Sequence, residues 1–164
     1  MDLPDRVLAD NARYAADGER ERPAERLPAR RIAVVTCMDA RIDVDAMLGL
    51  SLGDAHVLRN AGGIVTDDTI RSLTLSQWLV GTRSVLVVQH TDCALHRLYG
   101  PGFQQRLYEV AGHVPTWDLG TFVDLDTSVR ESMRRVSASP FLQHRDRVHG
   151  FVLDVVSGRL RAVR

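Results

Sequence analysis

Four short apolar runs alternate with stretches of helical periodicity, and this alternation constrains the fold more than any other feature of the chain. The runs are rich in β-branched residues and cover residues 32–35, 56–58, 85–88 and 148–155. Helical patterns lie between them at residues 44–50, 68–80 and 122–136. Such an alternation predicts an α/β fold, with a mostly parallel central sheet flanked by helices and joined by right-handed crossovers.

The two ends of the chain depart from this pattern. Residues 3–16 carry apolar side chains at helical spacing among charges, whereas residues 17–30 contain two prolines, one glycine and many charges. At the other end, a Ser-Gly-Arg turn at residues 157–159 separates two apolar segments and predicts an antiparallel edge hairpin. We therefore expect one domain over residues 1–164, with residues 1–29 as a helical arm and connector and residues 30–164 as the α/β core.

Charge and hydropathy exclude several classes of partner. Basic and acidic residues number 21 each, and the acidic ones are scattered along the chain, so no broad positive surface is expected to attract nucleic acid. The longest uncharged stretch, residues 72–82, is too short and too polar to cross a bilayer. The first residues do not resemble a secretory signal, so we expect a cytoplasmic protein that spans no membrane.

The only two cysteines follow two of the predicted strands. Cys37 comes shortly after residues 32–35, and His90 and Cys93 come shortly after residues 85–88. If these strands are neighbours, the three side chains converge beyond their carboxyl ends, where α/β sheets collect functional groups. Two thiolates and one imidazole suit Zn²⁺, and three protein ligands leave one tetrahedral position for water, as in catalytic zinc sites. Each residue alone would more often be structural.

Asp39 and Arg41 follow Cys37 at steps of two residues. In an extended loop both side chains could point the same way and form a charge-assisted pair beside the metal. Two roles for Asp39 remain open on this reasoning. It could ligate zinc as a fourth ligand and close the site, or it could be held by Arg41 and accept a hydrogen bond from water on the metal.

Three segments together resemble the β-class carbonic anhydrases. They are Cys-Met-Asp-Ala-Arg at residues 37–41, Arg-Asn-Ala-Gly-Gly at residues 59–63 and His-Thr-Asp-Cys at residues 90–93. The likeness runs from about residue 30 to the C-terminus, and the chain is similar in size to short bacterial members, including mycobacterial ones.

The resemblance implies a role for each matching residue. Cys37, His90 and Cys93 would bind zinc, and Asp39 and Arg41 would form a catalytic dyad. Asn60, Ala61, Gly62 and Gly63 would belong to a loop that lines the substrate pocket. The resemblance also implies a homodimer or homotetramer with active sites at subunit interfaces.

The implied reaction is the reversible hydration of carbon dioxide to bicarbonate and a proton by a zinc-bound hydroxide, with no organic cofactor. Two alternatives stay open: hydrolysis of carbonyl sulfide or carbon disulfide on the same zinc site, and a zinc-binding module with little activity. The second alternative rests on Ala94, because the family commonly has glycine at this position. If the position needs a positive φ, a side chain there would distort the pocket and reduce turnover.

Overall fold

The computed structural model describes residues 2–17, 26–98 and 101–164. A five-stranded sheet in the order β2-β1-β3-β4-β5 forms its centre. The strands are β1 (Ile32–Cys37), β2 (Ala55–Asn60), β3 (Ser84–His90), β4 (Val148–Leu153) and β5 (Leu160–Val163). The first four strands run parallel, and β5 pairs antiparallel with β4 at the edge of the sheet. Both the mostly parallel sheet and the C-terminal hairpin are thus confirmed.

Six helices accompany the sheet in the described part of the chain. They are α1 (Leu3–Ala16), α2 (Val44–Leu48), α3 (Asp67–Val80), α4 (Ala94–Arg97), α5 (Pro101–Ala111) and α6 (Leu125–Ala138). Side chains of Asp43, Thr66 and Asp124 cap the N-termini of α2, α3 and α6, so polar residues set where these helices begin. The predictions missed α4 and α5.

Two predicted boundaries were wrong. The third helical pattern begins at Leu125 and not at Phe122, because Asp124 accepts a hydrogen bond from the Thr127 amide at 2.7 Å and caps the helix there. Strand β4 ends at Leu153 instead of residue 155, because the Asp154 carboxylate accepts from the Val156 and Ser157 amides and starts the turn. In both cases one aspartate side chain competes for backbone amides and ends the regular element.

Apolar side chains cover both faces of the sheet. From β1, Val34 packs with Val44 of α2 on one face, while Ala33 and Val35 pack with Leu73 of α3 on the other. Helix α6 covers β4, where its fully buried Val129 contacts the β4 side chains. Burial on both faces explains why β1 and β3 are apolar at consecutive positions.

Helix α1 confirms the predicted N-terminal helix, with Asp2 as its cap. None of its residues is buried, and Leu3, Val7 and Leu8 are 73, 56 and 68% exposed. Most of the predicted connector, residues 18–25, lies outside the described residues. The division into an arm over residues 1–29 and a core over residues 30–164 stays a prediction.

Among the described residues, no helix has both the length and the hydropathy needed to cross a bilayer.

Candidate metal centre

The ends of β1 and β3 bring the three predicted ligands together. These strands are parallel neighbours, with Thr36 opposite Val88, so Cys37 and His90 close their respective strands at the same edge of the sheet. Cys93 follows His90 after a two-residue turn. The side chains are almost fully buried, and their ligating atoms all lie within 4.8 Å of one another. Both cysteines are free thiols.

The hydrogen bonds of His90 leave one nitrogen available for a metal. Its Nδ1 lies 2.8 Å from the backbone oxygen of Thr91, and because a carbonyl oxygen only accepts, Nδ1 carries the proton. Nε2 is buried and has no hydrogen-bond partner in the described part of the chain. A buried nitrogen lone pair without a partner is costly unless a ligand occupies it. This tautomer, held by a carbonyl, is the one found in histidine metal ligands.

The donor set fits zinc. A tetrahedral ion with ordinary Zn–S and Zn–N bonds places its ligand atoms roughly 3.5–3.8 Å apart, which agrees with the close grouping of the two sulfurs and Nε2. Three ligands leave a fourth position for a small molecule. The role of Cys37, His90 and Cys93 as ligands stays a prediction that this geometry supports.

The two thiols share one proton between them. The Cys93 thiol donates to Cys37, and this hydrogen bond lowers the pKa of Cys37 to about 4 against the opposing effect of burial. The pKa of Cys93 is raised, because its proton is held by Cys37 and because burial disfavours a second thiolate. Burial also disfavours the charged form of His90, but the nearby Cys37 thiolate and the hydrogen bond to the Thr91 carbonyl outweigh the effect and raise the pKa of His90.

Asp39 and Arg41 form the charge-assisted pair that their spacing predicts. Nε and Nη2 of Arg41 donate to the two carboxylate oxygens of Asp39 at 3.0 and 2.7 Å, and the Arg41 amide donates at 2.9 Å. These hydrogen bonds hold the pKa of Asp39 well below its usual range and raise the pKa of Arg41. Oδ2 of Asp39 lies 3.9 Å from Nε2 of His90. In this arrangement Arg41 holds the Asp39 carboxylate beside the ligand cluster.

The segment Asn60–Gly63 borders the same edge of the sheet. Asn60 ends β2, and its Nδ2 donates to the Ile64 carbonyl at 2.8 Å, which closes a tight turn over the 3-10 segment Ala61–Gly63. Gly62 and Gly63 have φ values of 80° and 63°. A side chain on Gly63 would meet the Cys37 nitrogen at 2.7 Å, so only glycine lets this loop lie against the end of β1.

Sequence reasoning missed two residues that contact these loops. Arg59 donates from Nε to the Cys37 carbonyl at 3.0 Å and from Nη2 to the Asp39 carbonyl at 2.7 Å. Asp92 accepts from Nη1 of Arg41 at 2.9 Å. Both stand inside the segments that carry the family resemblance, and that was the available signal, but nothing in their spacing indicates which groups they contact.

The concern over Ala94 is not supported. Ala94 begins α4, is exposed, and is not among the non-glycine residues with a positive φ, which in the described chain are Arg31 and Asp92. The left-handed residue of this turn is Asp92, two positions earlier, with φ of 57°. The side chain of Ala94 therefore neither strains the turn nor fills a buried space.

Comparison with known proteins agrees with this geometry. The sequence model described as carbonic anhydrase matches residues 32–117. "Beta-carbonic anhydrase 1" of Mycobacterium tuberculosis is 42% identical over 163 residues, which cover 99% of each chain. The chain belongs to the β-carbonic anhydrase family. The predicted enzyme class is therefore confirmed at the level of the family.

The fold of the family is equally clear among solved structures. A carbonic anhydrase from Streptococcus mutans superposes with a TM-score of 0.91 at 38% identity, covering 100% of this chain and 99% of that one. Some similar proteins are named for another activity. A "Carbon disulfide hydrolase" of Acidianus sp. is 52% identical over 71 residues, which are 43% of this chain and 35% of that protein. The name of this relative corresponds to the first alternative raised by the sequence, hydrolysis of carbonyl sulfide or carbon disulfide.

Proposed function

We propose that this β-carbonic anhydrase family member catalyses the zinc-dependent, reversible hydration of carbon dioxide to bicarbonate and a proton. The observation that carries the proposal is the buried Cys37–His90–Cys93 cluster with an unpartnered Nε2, placed beside the Asp39–Arg41 pair. Carbon dioxide and bicarbonate are then the small-molecule partners.

Cys37, His90 and Cys93 would hold the metal. Bound there, Zn²⁺ would supply Lewis-acid chemistry that acidifies water and makes it a nucleophile at moderate pH. The protein contributes a position shielded from solvent, since the side chains of all three residues are almost fully buried. The Thr91 carbonyl fixes the His90 ring, so its free nitrogen faces the sulfurs without further rearrangement.

Asp39 would act on the water that attacks carbon dioxide. Arg41 keeps its carboxylate charged, and the carboxylate lies beside Nε2 of His90, so it can accept a hydrogen bond and orient the water. In a closed state, Asp39 would become a fourth ligand and exclude water. That state requires Asp39 to exchange its hydrogen bonds with Arg41 for the metal, so Arg41 favours the open state.

The Asn60–Gly63 segment would form part of the substrate pocket. Gly62 is buried beside the side chains of Leu95 and Phe122, so the loop presents backbone and apolar carbon near the metal ligands. A small, uncharged, linear molecule suits such a surface better than an ionic one.

Metal analysis and stopped-flow hydration on one sample test the proposal. The purified protein is expected to contain about one zinc ion per chain, to hydrate carbon dioxide, and to lose this activity on chelation and regain it with zinc. Cys93→Ser should lose both zinc and activity, whereas Ser157→Ala in the exposed β4–β5 turn should keep both. Zinc-free protein that still hydrates carbon dioxide, or zinc-loaded protein that does not, would refute the proposal.

Carbon disulfide or carbonyl sulfide hydrolysis is the second candidate, favoured by the identity shared with the Acidianus relative. The same zinc site would serve, because these molecules are also linear and uncharged. Parallel assays with the three substrates on the zinc-loaded protein decide between them. Rapid turnover of carbon dioxide with slow release of hydrogen sulfide from the other two supports the first candidate.

We further propose a homodimer or homotetramer in which α1 reaches a partner subunit. Helix α1 buries none of its apolar residues on its own subunit. On α3, Leu75, Trp78 and Leu79 are 44, 60 and 76% exposed and form an apolar face that a second copy of α1 can cover. Sedimentation analysis is expected to give a dimer or a tetramer. Leu8→Asp should weaken this assembly, whereas Val156→Asp, in an exposed turn, should not. A parent protein that sediments as a monomer would contradict the proposal, and a tetramer that Leu8→Asp leaves intact would contradict the role of α1.

The cytoplasm is the compartment we propose. Two free thiols that must stay reduced to bind a metal suit a reducing environment. Fractionation of cells that express the protein tests this assignment, with cytoplasmic and periplasmic marker enzymes as references.

A further inference from the structure

Arg41 lies between two carboxylates that belong to different loops. On one side it forms the two-pronged pair with Asp39, in the loop that follows β1. On the other side its Nη1 donates to Oδ2 of Asp92 at 2.9 Å, and its Nη2 reaches the Asp92 backbone oxygen at 3.2 Å. Asp92 belongs to the turn between His90 and Cys93. The guanidinium thus joins the two loops that carry the predicted metal ligands.

The pair with Asp39 does not by itself fix where that carboxylate lies. Asp39 and Arg41 are two residues apart in one loop, and the Arg41 side chain is 47% exposed. A guanidinium and a carboxylate on the same exposed loop can move together while their mutual hydrogen bonds stay intact. Arg59 of β2 holds the backbone of this loop at the Asp39 carbonyl, and the contact of Arg41 to Asp92 ties the two side chains to the turn that carries His90 and Cys93.

The backbone of Asp92 is suited to make this contact. Its φ of 57° places it in the left-handed region, which aspartate and asparagine adopt more readily than most residues. In this conformation both the carboxylate and the backbone oxygen reach Arg41. The turn that spaces His90 from Cys93 therefore also supplies an anchor for Arg41.

We propose that Asp92 is a positioning residue that acts through Arg41 to hold Asp39 at the edge of the metal centre. The inference deepens the proposed function and rests on it for the effect on turnover. Asp92 itself is not expected to touch substrate or metal. Its removal should leave the ligands in place and loosen the Asp39–Arg41 pair as a unit.

Two variants separate the contact from the shape of the turn. Asp92→Gly removes the side-chain acceptor and keeps the left-handed backbone free of strain, while Asp92→Asn keeps an acceptor oxygen and removes the charge. We expect kcat for carbon dioxide hydration to fall about tenfold in Asp92→Gly and less in Asp92→Asn, with KM and zinc content unchanged, because a charge-assisted hydrogen bond is lost or weakened. Asp126→Asn, which breaks the Arg161 pair between α6 and β5, is the control and should leave kcat unchanged.

A measurement that does not depend on activity follows Arg41 directly. In ¹⁵N spectra of the zinc-loaded protein, the guanidinium signals of Arg41, assigned by their disappearance in Arg41→Lys, are expected to show hindered rotation and slow exchange. Asp92→Gly should speed both processes, and Asp126→Asn should not. If the parent protein fails to hydrate carbon dioxide, the proposed function fails, and these signals still report whether Asp92 fixes Arg41.

Three results would overturn the inference. One is an Arg41 spectrum that Asp92→Gly leaves unchanged, whatever happens to kcat. Another is parental kcat in Asp92→Gly. The third is loss of zinc in both Asp92 variants, which would make Asp92 a structural residue of the ligand turn instead of an anchor for Arg41.

Discussion

A Cβ atom on Gly63 would lie 2.7 Å from the backbone nitrogen of Cys37 and 2.9 Å from the carbonyl carbon of Thr36. Both neighbours are backbone atoms at the end of a central strand, which cannot move without displacing the Cys37 sulfur. The loop that borders the predicted pocket and the strand that supplies a predicted ligand are thus in direct backbone contact.

Gly63→Ala is therefore expected to lower both stability and zinc content. The left-handed φ alone costs about 1–2 kcal/mol with a side chain, and the backbone contact adds to that cost. Gly158→Ala is the matched control, because φ there is +70° and the added Cβ would meet nothing within 4 Å. Urea unfolding and metal analysis of both variants check the difference. Equal losses in the two variants would show that the contact with Cys37 is unimportant.

Asp39→Asn is expected to retain zinc and to lose turnover by about 100-fold or more, the scale of a positioned proton acceptor. The amide has nearly the same shape but carries no charge, so it binds Arg41 weakly and accepts poorly from water. Stopped-flow hydration and metal analysis on one sample measure the effect. Asp68→Asn removes an exposed carboxylate paired with Arg71 and serves as the control. Turnover near the parental value would remove Asp39 from the mechanism.

Zinc affinity is expected to rise with pH. If Cys93 and His90 are ligands, metal binding requires a Cys93 thiolate and a neutral His90. In the metal-free protein the pKa values of both groups are raised, so both hold protons to higher pH than isolated side chains would. The pKa of Cys37 is lowered to about 4, so this thiol is already ionised at neutral pH. It therefore does not contribute to the change of zinc affinity with pH in that range. Each displaced proton makes the affinity rise about tenfold per pH unit. Competition with a chromophoric chelator between pH 6 and 8.5 measures the slope, and a flat profile would contradict the assignment of ligands.

Ala94→Gly is expected to leave kcat/KM within about twofold of the parent. Ala94 is exposed at the start of α4 and does not need a positive φ, so glycine relieves no strain. Its replacement by glycine should cost up to about 1 kcal/mol of stability through backbone entropy. Hydration assays and thermal unfolding measure the two quantities. A large gain in turnover would restore the view that a side chain here impairs the pocket.

The sheet could be predicted from the sequence because each buried strand is marked by an apolar run within its own few residues. Strands buried on both faces must be apolar at consecutive positions, and the strands β1 and β3 show this pattern. The convergence of Cys37, His90 and Cys93 followed from their places after two such strands. Helix α5 was missed because Pro101 and Gly102 suggest a break, although proline fits the first turn of a helix. Among the α5 residues whose burial the structure describes, Phe103 and Leu107 are half-buried and mark the inner side, which is a weak periodic signal.

The contacts of Arg59 and Asp92 could not be read from the sequence. Arg59 reaches back from β2 to carbonyl groups of the neighbouring loop, and no periodicity encodes the target of a long side chain. The anchor role of Asp92 depends on one left-handed backbone conformation. Glycine was expected to matter at position 94, yet the unusual φ lies at Asp92. Spacing indicated which loops meet but not which residue adopts the rare conformation.

The three predicted ligands lie at or just after the ends of two adjacent parallel strands. This arrangement sets the order in which they become available during biosynthesis. The first sulfur leaves the ribosome long before the imidazole and the second sulfur, and the crossover between β1 and β3 must close before all three can act as one chelator. A nascent chain that stops short of Cys93 would lack one of the predicted ligands, so we expect a metal ion to be bound fully only after the central strands have docked. Metal uptake by truncated translation products would then report the moment at which this docking occurs.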